Sequence, residues 1–179
     1  MQASTLSLRA RADATSFPLL WAQVPFPTHE YAMEIRFRYG TPTYYATGIG
    51  VGSALYDGQR YPDGDGPLDH IDDALSIQQT ARQFRISLWE ELIWYGPVPD
   101  TRWHVVQMAQ VGSVYTLRVD GLVIGSVSAD DRVAISMYIG SPIEAHYPGP
   151  WTPIDVDYVR VATCGLWGVD RVWLPILKR

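Results

Sequence analysis

Residues 103–127 read WHVVQMAQVGSVYTLRVDGLVIGSV, and this stretch decides the fold. Polar and apolar side chains alternate over residues 115–119, which is the two-residue period of a strand with one buried face. The Asp120-Gly121 pair that follows favours the positive φ angles of a two-residue type I′ turn, and a second apolar run lies beyond it. Another strand pattern precedes this hairpin over residues 103–109. The stretch therefore predicts a three-strand antiparallel meander.

The two-residue turn also predicts the register of the hairpin. With a loop of that length, Val119 lies opposite Leu122 and Leu117 lies opposite Ile124. We therefore expect four aliphatic side chains to share one face of the hairpin.

Strand patterns continue along the rest of the chain. Residues 31–39, YAMEIRFRY, alternate most cleanly, with apolar or aromatic side chains on one face and charged ones on the other. Residues 17–27, which contain three prolines, are expected to form an irregular covering segment, and residues 71–80 a short helical turn. Further strands are predicted at residues 5–10, 45–55, 84–89, 92–96, 133–140 and 154–163.

The composition is that of one globular domain spanning residues 1–179, with 47% hydrophobic and 18% charged residues. The net charge of −5 argues against nonspecific binding to nucleic acid or to acidic membranes. No apolar run approaches the ~20 residues that a membrane-spanning helix needs. Residues 1–16 lack the apolar segment of a signal peptide, and a single cysteine, Cys164, excludes an internal disulfide.

Residues 48–52, GIGVG, alternate glycine with isoleucine and valine. The spacing is similar to that of a phosphate loop, but a loop of that kind requires a following helix, which the sequence does not predict. In a strand the three glycines lie on one face, while Ile49 and Val51 pack on the other. Glycine within a strand indicates close approach by another backbone or by a ligand. We favour close packing of the sheet.

Four features occur in a suggestive order: a Trp-His-Val strand at residues 103–105, YTLRVDG at 115–121, YIGSP at 138–142 and DVDYVRV at 155–161. This order resembles the concanavalin A-like lectin/glucanase superfamily, most closely its laminin-G-like and laminarinase-like jelly rolls. The resemblance covers residues 31–161. It implies an all-β, two-sheet antiparallel β-sandwich, with residues 162–179 as a C-terminal strand or tail.

The hydrolases of that superfamily carry a Glu-x-Asp-x-x-Glu motif, which supplies the two close carboxyl groups that retaining hydrolysis needs. None of the five glutamates of this chain lies in such a motif. We therefore expect the chain not to be an enzyme. One nonstandard pair stays open, since Asp155 and Asp157 are expected on the same face of a strand, beside Val159 and Val161.

Residues 84–96, FRISLWEELIWYG, predict a sugar-binding surface. If Glu90-Glu91 forms the turn, one face is predicted to be core, and the other carries two indoles and a guanidinium. The predicted core face consists of Ile86, Leu88, Ile93 and Tyr95. The predicted site has Trp89 and Trp94 as platforms for stacking on sugar rings and Arg85 as a hydrogen-bond donor, with His146, Tyr147 and Trp151 contributing from a loop.

The resemblance also implies a structural calcium ion supported by Asp157, in the DVDYVRV strand. The alternative for Asp157 is a hydrogen bond from a backbone amide or from an arginine. The long acidic loop at residues 57–73 offers Asp63, Asp65 and Asp69 as weaker candidate calcium ligands, or it is simply a solvated loop.

These observations favour a noncatalytic module that binds a polysaccharide or other glycan, or that serves in adhesion, at a secreted or cell-surface location. A structural module that binds another protein or a second copy of itself is the alternative. A polysaccharide hydrolase or lyase that uses Asp155 and Asp157 is a third hypothesis.

Overall fold

The computed structural model describes residues 6–8, 19–23, 30–43, 47–52, 73–89, 91–129, 136–140, 152–163 and 171–173. These residues form thirteen strands: β1 (Leu6–Leu8), β2 (Leu19–Gln23), β3 (Glu30–Tyr39), β4 (Thr47–Gly52), β5 (Asp73–Gln79), β6 (Phe84–Leu88), β7 (Leu92–Gly96), β8 (His104–Val111), β9 (Val114–Val119), β10 (Leu122–Ser128), β11 (Ser136–Gly140), β12 (Ile154–Thr163) and β13 (Arg171–Trp173).

The strands form two antiparallel sheets. The first sheet has the order β1-β12-β3-β8-β9-β10, and β13 also pairs with β12. The second sheet has the order β2-β11-β4-β5-β6-β7. The predicted all-β, two-sheet antiparallel sandwich is therefore confirmed. No helix in the described part of the chain is long and apolar enough to cross a membrane.

The core lies between the two sheets and is built by alternation along each strand. On β3, Met33, Ile35 and Phe37 are fully buried, while the side chains between them are charged and face outward. On the second sheet, Ile49 and Val51 are likewise fully buried, as the glycine-rich segment predicts. Each such side chain stabilises the fold by about 1.5–3 kcal/mol relative to its exposed state.

The meander is confirmed, and so is its turn. Asp120 and Gly121 have φ angles of 51° and 84°, and Val119 lies opposite Leu122. Beyond that pair the predicted register is wrong, because a bulge after Val123 places Gly125, not Ile124, opposite Leu117. The extra residue twists β10 away from regular pairing.

Two segments differ from their predicted structure. The helical turn predicted over residues 71–80 is wrong, because β5 occupies Asp73–Gln79, where Leu75, Ile77 and Gln79 point into the core. Because β4 and β6 flank it, both edges of this strand find backbone partners. Residues 17–27 are not irregular throughout, since β2 lies within them and pairs with β11.

Candidate functional site

The hairpin of β6 and β7 determines which side chains reach the surface of the second sheet. Leu88 lies opposite Leu92, so three residues separate the strands instead of the two that the sequence predicts. A shift of one residue moves every side chain of a strand to the other face. The predicted assignment of faces is therefore wrong for β7: Trp94 faces the core, and Tyr95 faces outward.

The two predicted indole platforms consequently pack inside the sandwich. Trp89 is 3% exposed and meets the ring of Tyr115 edge-on, with centroids 5.3 Å apart. Trp94 is partly buried and packs edge-on against Phe84, with centroids 5.5 Å apart. In this conformation the indole of Trp89 has no open face on which a sugar ring stacks.

Polar side chains cross the outer face of the second sheet instead. Gln78 on β5 lies opposite Arg85 on β6, and Arg85 lies opposite Tyr95 on β7. Tyr95 is 60% exposed, while Gln78 and Arg85 are partly buried. Gly48 on β4 lies opposite Gln78 and continues the line without a side chain. We call these three polar residues the Gln78–Arg85–Tyr95 row.

The adjacent row carries two buried hydroxyl groups. Ser76 lies opposite Ser87, and the two residues are 4% and 1% exposed. Neither Oγ has a hydrogen-bond partner among the residues that the structure describes. Gly50 is the neighbour of Ser76 on β4. Because both hydroxyl oxygens are inaccessible to solvent, they do not offer contacts to a ligand on the surface of the sheet.

The chemistry of this face suits a polyhydroxylated ligand. The Arg85 guanidinium has five N–H donors, the Gln78 carboxamide has both donors and acceptors, and the Tyr95 phenol offers a ring beside a hydroxyl. A pyranose presents alternating hydroxyls and C–H faces, which these groups match. Of the three predicted site residues that the structure describes, Arg85 alone lies where the prediction placed it, on the outer face.

The outer face of the first sheet is a network of ion pairs. Arg36 donates through Nη1 to Asp157 Oδ2, and Arg38 Nε donates to Asp155 Oδ2 at 2.9 Å. Both guanidiniums lie over the ring of Trp103, 4.7 and 4.8 Å from its centroid. The two carboxylates of the nonstandard catalytic pair are therefore each held by an arginine.

Because of a bulge in β12, the side chains beyond it lie on the face opposite to the predicted one. The register shifts between Val156 and Tyr158, so Asp157 is the extra residue. Val159 and Val161 therefore point into the core and are buried, instead of lying beside the two aspartates.

A calcium site around Asp157 does not fit the residues that the structure describes. Calcium takes six to eight oxygen ligands, whereas the Asp157 carboxylate is paired with the Arg36 guanidinium. Among those described residues, no group of three His, Cys, Asp or Glu side chains is arranged so that it could hold a metal ion. The arrangement matches the alternative that the sequence left open, an aspartate bound by an arginine.

The remaining predicted site residues, His146, Tyr147 and Trp151, lie outside the described residues. So do the weaker calcium candidates Asp63, Asp65 and Asp69, together with residues 57–72 of the acidic loop. Their proposed roles stay predictions.

A polar cluster around the buried His104 ties the β9–β10 turn to the loop that precedes β8. His104 Nδ1 is 2.9 Å from Asp120 Oδ2, and His104 Nε2 is 3.2 Å from Asp100 Oδ2. Asp120 Oδ1 accepts a hydrogen bond from the backbone amide of Val105. Hydrogen bonds from Arg102 lower the pKa of Asp100 to about 2. Because His104 is buried among aromatic rings, this cluster has a structural role.

Several tyrosines are held in the protonated form. Burial raises the pKa of Tyr31 and Tyr39 above the usual range. Burial also raises the pKa of Tyr115 to about 12, and burial with a hydrogen bond to Glu34 raises that of Tyr158 to about 12. Tyr39 donates its hydroxyl to the carbonyl of Ile77 at 3.1 Å, and Tyr158 donates to Glu34 Oε1 at 2.7 Å.

Sequence reasoning missed four residues of the two outer faces: Ser76, Gln78, Tyr95 and Trp103. The alternation of DALSIQQ was the available signal for Ser76 and Gln78, since small or polar residues take every second position there. The sequence pattern places Tyr95 in the core only if the turn between β6 and β7 has two residues.

No family model and no curated protein sequence matches the chain. Solved structures do match. A carbohydrate esterase from the Shiga toxin-encoding bacteriophage phi24B is 14% identical with a TM-score of 0.55, covering 90% of this chain and 81% of its own. The Crh5 transglycosylase is 12% identical with a TM-score of 0.53, covering 90% and 73%.

A family 7 polysaccharide lyase, the alginate lyase AlgAT5, is 10% identical with a TM-score of 0.54 and covers 75% of this chain. The match extends over 59% of the length of the lyase. At these identities the similarity shows the fold alone. The concanavalin A-like β-sandwich is confirmed, and it is a fold shared with carbohydrate-active proteins. The nearer likeness to laminin-G-like or laminarinase-like jelly rolls stays a prediction.

Proposed function

We propose that this chain is a noncatalytic carbohydrate-binding module, whose glycan lies on the outer face of the second sheet. The single observation that carries the proposal is the Gln78–Arg85–Tyr95 row, which is aligned across three strands and reaches solvent through Tyr95. Binding of a sugar needs such convergent hydrogen-bonding groups beside an exposed aromatic ring.

Two further points support this assignment. The fold is one that carbohydrate-active proteins share. Asp155 and Asp157, the alternative catalytic pair, are bound to arginines on the opposite sheet. A secreted or cell-surface location goes with this proposal, since polysaccharides are mostly found outside the cell.

The experiment is a glycan array probed with the wild-type protein and two aromatic variants. Tyr95→Ala removes the exposed ring of the proposed site. Trp103→Ala removes a ring from the outer face of the first sheet, and it serves as the matched control. We expect the wild type to bind a chemically related set of glycans, Tyr95→Ala to lose at least tenfold in affinity, and Trp103→Ala to retain it.

Loss of binding in Trp103→Ala but not in Tyr95→Ala would move the site to the first sheet. A folded wild-type protein that binds no glycan would remove the proposal. Thermal unfolding of each variant separates a lost contact from a lost fold.

A protein-interaction module is the second candidate, and one observation favours it. β10 ends the first sheet, and its Leu122 and Val123 are 70% and 60% exposed. An edge strand with apolar side chains and no charge is a template for pairing with another strand. A mass that rises with concentration in light scattering, combined with a blank glycan array, would favour this candidate.

A further inference from the structure

The arginines of the described residues differ in how their charge is balanced. On the first sheet, Arg36, Arg38 and Arg160 pair with Asp157, Asp155 and Glu34. In contrast, none of the carboxylates that the structure describes pairs with Arg85. Arg118 on the first sheet also has no carboxylate partner among the described residues, so what distinguishes Arg85 is its place between Gln78 and Tyr95 on the outer face of the second sheet.

Among the described residues, the neighbours of Arg85 in the sheet are neutral. Its cross-strand neighbours are Gln78 and Tyr95, and the next position on its own strand with the same orientation is Ser87. Arg85 is also partly buried, so part of its hydration is lost. A desolvated guanidinium without a counter-ion is unfavourable, and proteins usually pair such a group.

We infer that the ligand of this face carries a carboxylate, which Arg85 binds. The inference rests on the proposed function and narrows it to glycans that contain uronic acids. The planar guanidinium fork matches the two oxygens of a carboxylate, and such charge-assisted hydrogen bonds are about twice as strong as neutral ones. Gln78 and Tyr95 lie on either side of Arg85, where each meets a neighbouring hydroxyl of the same sugar.

The test compares polyuronates with their own carboxyl-reduced forms. Polygalacturonate, hyaluronan and xanthan are each used before and after reduction of the carboxylates to primary alcohols, so that the sugar backbone stays the same. Binding is measured by affinity electrophoresis and calorimetry at two salt concentrations. Dextran sulfate is included to distinguish a carboxylate from a sulfate as the anionic group.

Three variants complete the design. Arg85→Gln removes the charge and keeps much of the side chain, while Arg85→Lys keeps the charge without the fork. Arg118→Gln is the matched control, because Arg118 is a partly buried arginine on the outer face of the first sheet with no carboxylate partner among the described residues. Thermal unfolding verifies that each variant is folded.

We expect the wild type to bind at least one polyuronate ten or more times more tightly than its reduced form. Arg85→Gln should abolish this preference while retaining affinity for the reduced polymer, Arg85→Lys should recover it only in part, and Arg118→Gln should retain it. Equal affinity for both forms, a preference only for dextran sulfate, or a preference that survives in Arg85→Gln would overturn the inference and leave the proposed function standing. Absence of binding to every polymer, reduced or not, and to the glycan array would overturn both.

Discussion

Trp89 packs edge-on against Tyr115, which joins the β6–β7 loop to the inner face of the first sheet. The indole is 3% exposed, and the backbone of Trp89 has a φ of 49°, in the left-handed region that L residues rarely adopt. The contact with the core therefore holds an unfavourable backbone conformation in place.

This relationship predicts a large loss of stability in Trp89→Ala. Removing a buried indole costs about 3–5 kcal/mol, since the transfer free energy is lost and a cavity remains. Trp89→Gly should be about 1–2 kcal/mol more stable than Trp89→Ala, because glycine adopts a positive φ without strain. Urea unfolding measures both differences. An alanine variant as stable as the wild type would show that the indole does not pack in the core.

On the next strand, β7, the variant Tyr95→Ala is expected to leave the stability almost unchanged. The ring is 60% exposed on the outer face, so its removal should change the free energy of unfolding by no more than about 0.5 kcal/mol. Urea unfolding of Tyr95→Ala beside Trp89→Ala tests the direction of the two side chains. A loss of several kcal/mol in Tyr95→Ala would show that Tyr95 points into the core, as the sequence predicts.

Gly121→Ala tests the turn of the meander without altering any packing. Gly121 has a φ of 84°, and a Cβ added there meets no atom within 4 Å. The variant should therefore lose about 1–2 kcal/mol from backbone strain alone. Gly121→Asn is the control, since asparagine tolerates this conformation better and should lose less. Equal stability of the alanine variant and the wild type in thermal unfolding would contradict the type I′ turn.

The Arg36–Asp157 ion pair predicts a coupling between the two residues. Both side chains retain some exposure, so a double-mutant cycle with Arg36→Gln and Asp157→Asn should give about 1 kcal/mol. The same cycle in excess calcium and in chelator should give the same value. A melting temperature that rises with calcium in the wild type, but not in Asp157→Asn, would instead make Asp157 a metal ligand, since a ligand of the native state stabilises by mass action.

The strands of the fold could be predicted wherever the pattern is local. Alternation over residues 31–39 and the Asp120-Gly121 turn fix β3 and the meander, because each signal lies within a few neighbouring residues. Bulges are harder to predict, because one extra residue in a strand changes the sequence pattern very little. The register shifts after Val123 and Val156 were therefore not predicted. Gly125 was the one available hint for the first of them.

The candidate site depends on a turn length and on a strand register that no local sequence pattern determines. Two or three residues can connect β6 to β7, and only the second choice turns Tyr95 outward. The neighbours of Arg85 come from β5 and β7, and β5 was not predicted as a strand. A row that crosses three strands is defined by their register, which tertiary packing selects. Arg85 was found because its side chain is outward in both registers.

The Asp100 cluster predicts a dependence of stability on acid pH. Hydrogen bonds from Arg102, with a further favourable contribution from nearby His104, lower the pKa of Asp100 to about 2, below the roughly 3.9 of an unfolded chain. The folded state thus favours the carboxylate, and the resulting stability is fully present above about pH 4 and is lost as the pH falls toward 2. Asp100→Asn should accordingly be less stable than the wild type at pH 6, and the difference should shrink between pH 4 and 2.5. Urea unfolding across this range measures the difference in stability.

Arg102→Gln, which removes the hydrogen bonds that lower the pKa of Asp100, should flatten the dependence of stability on pH. A difference between wild type and Asp100→Asn that is the same at pH 6 and pH 2.5 would show that the carboxylate is not stabilised by these hydrogen bonds.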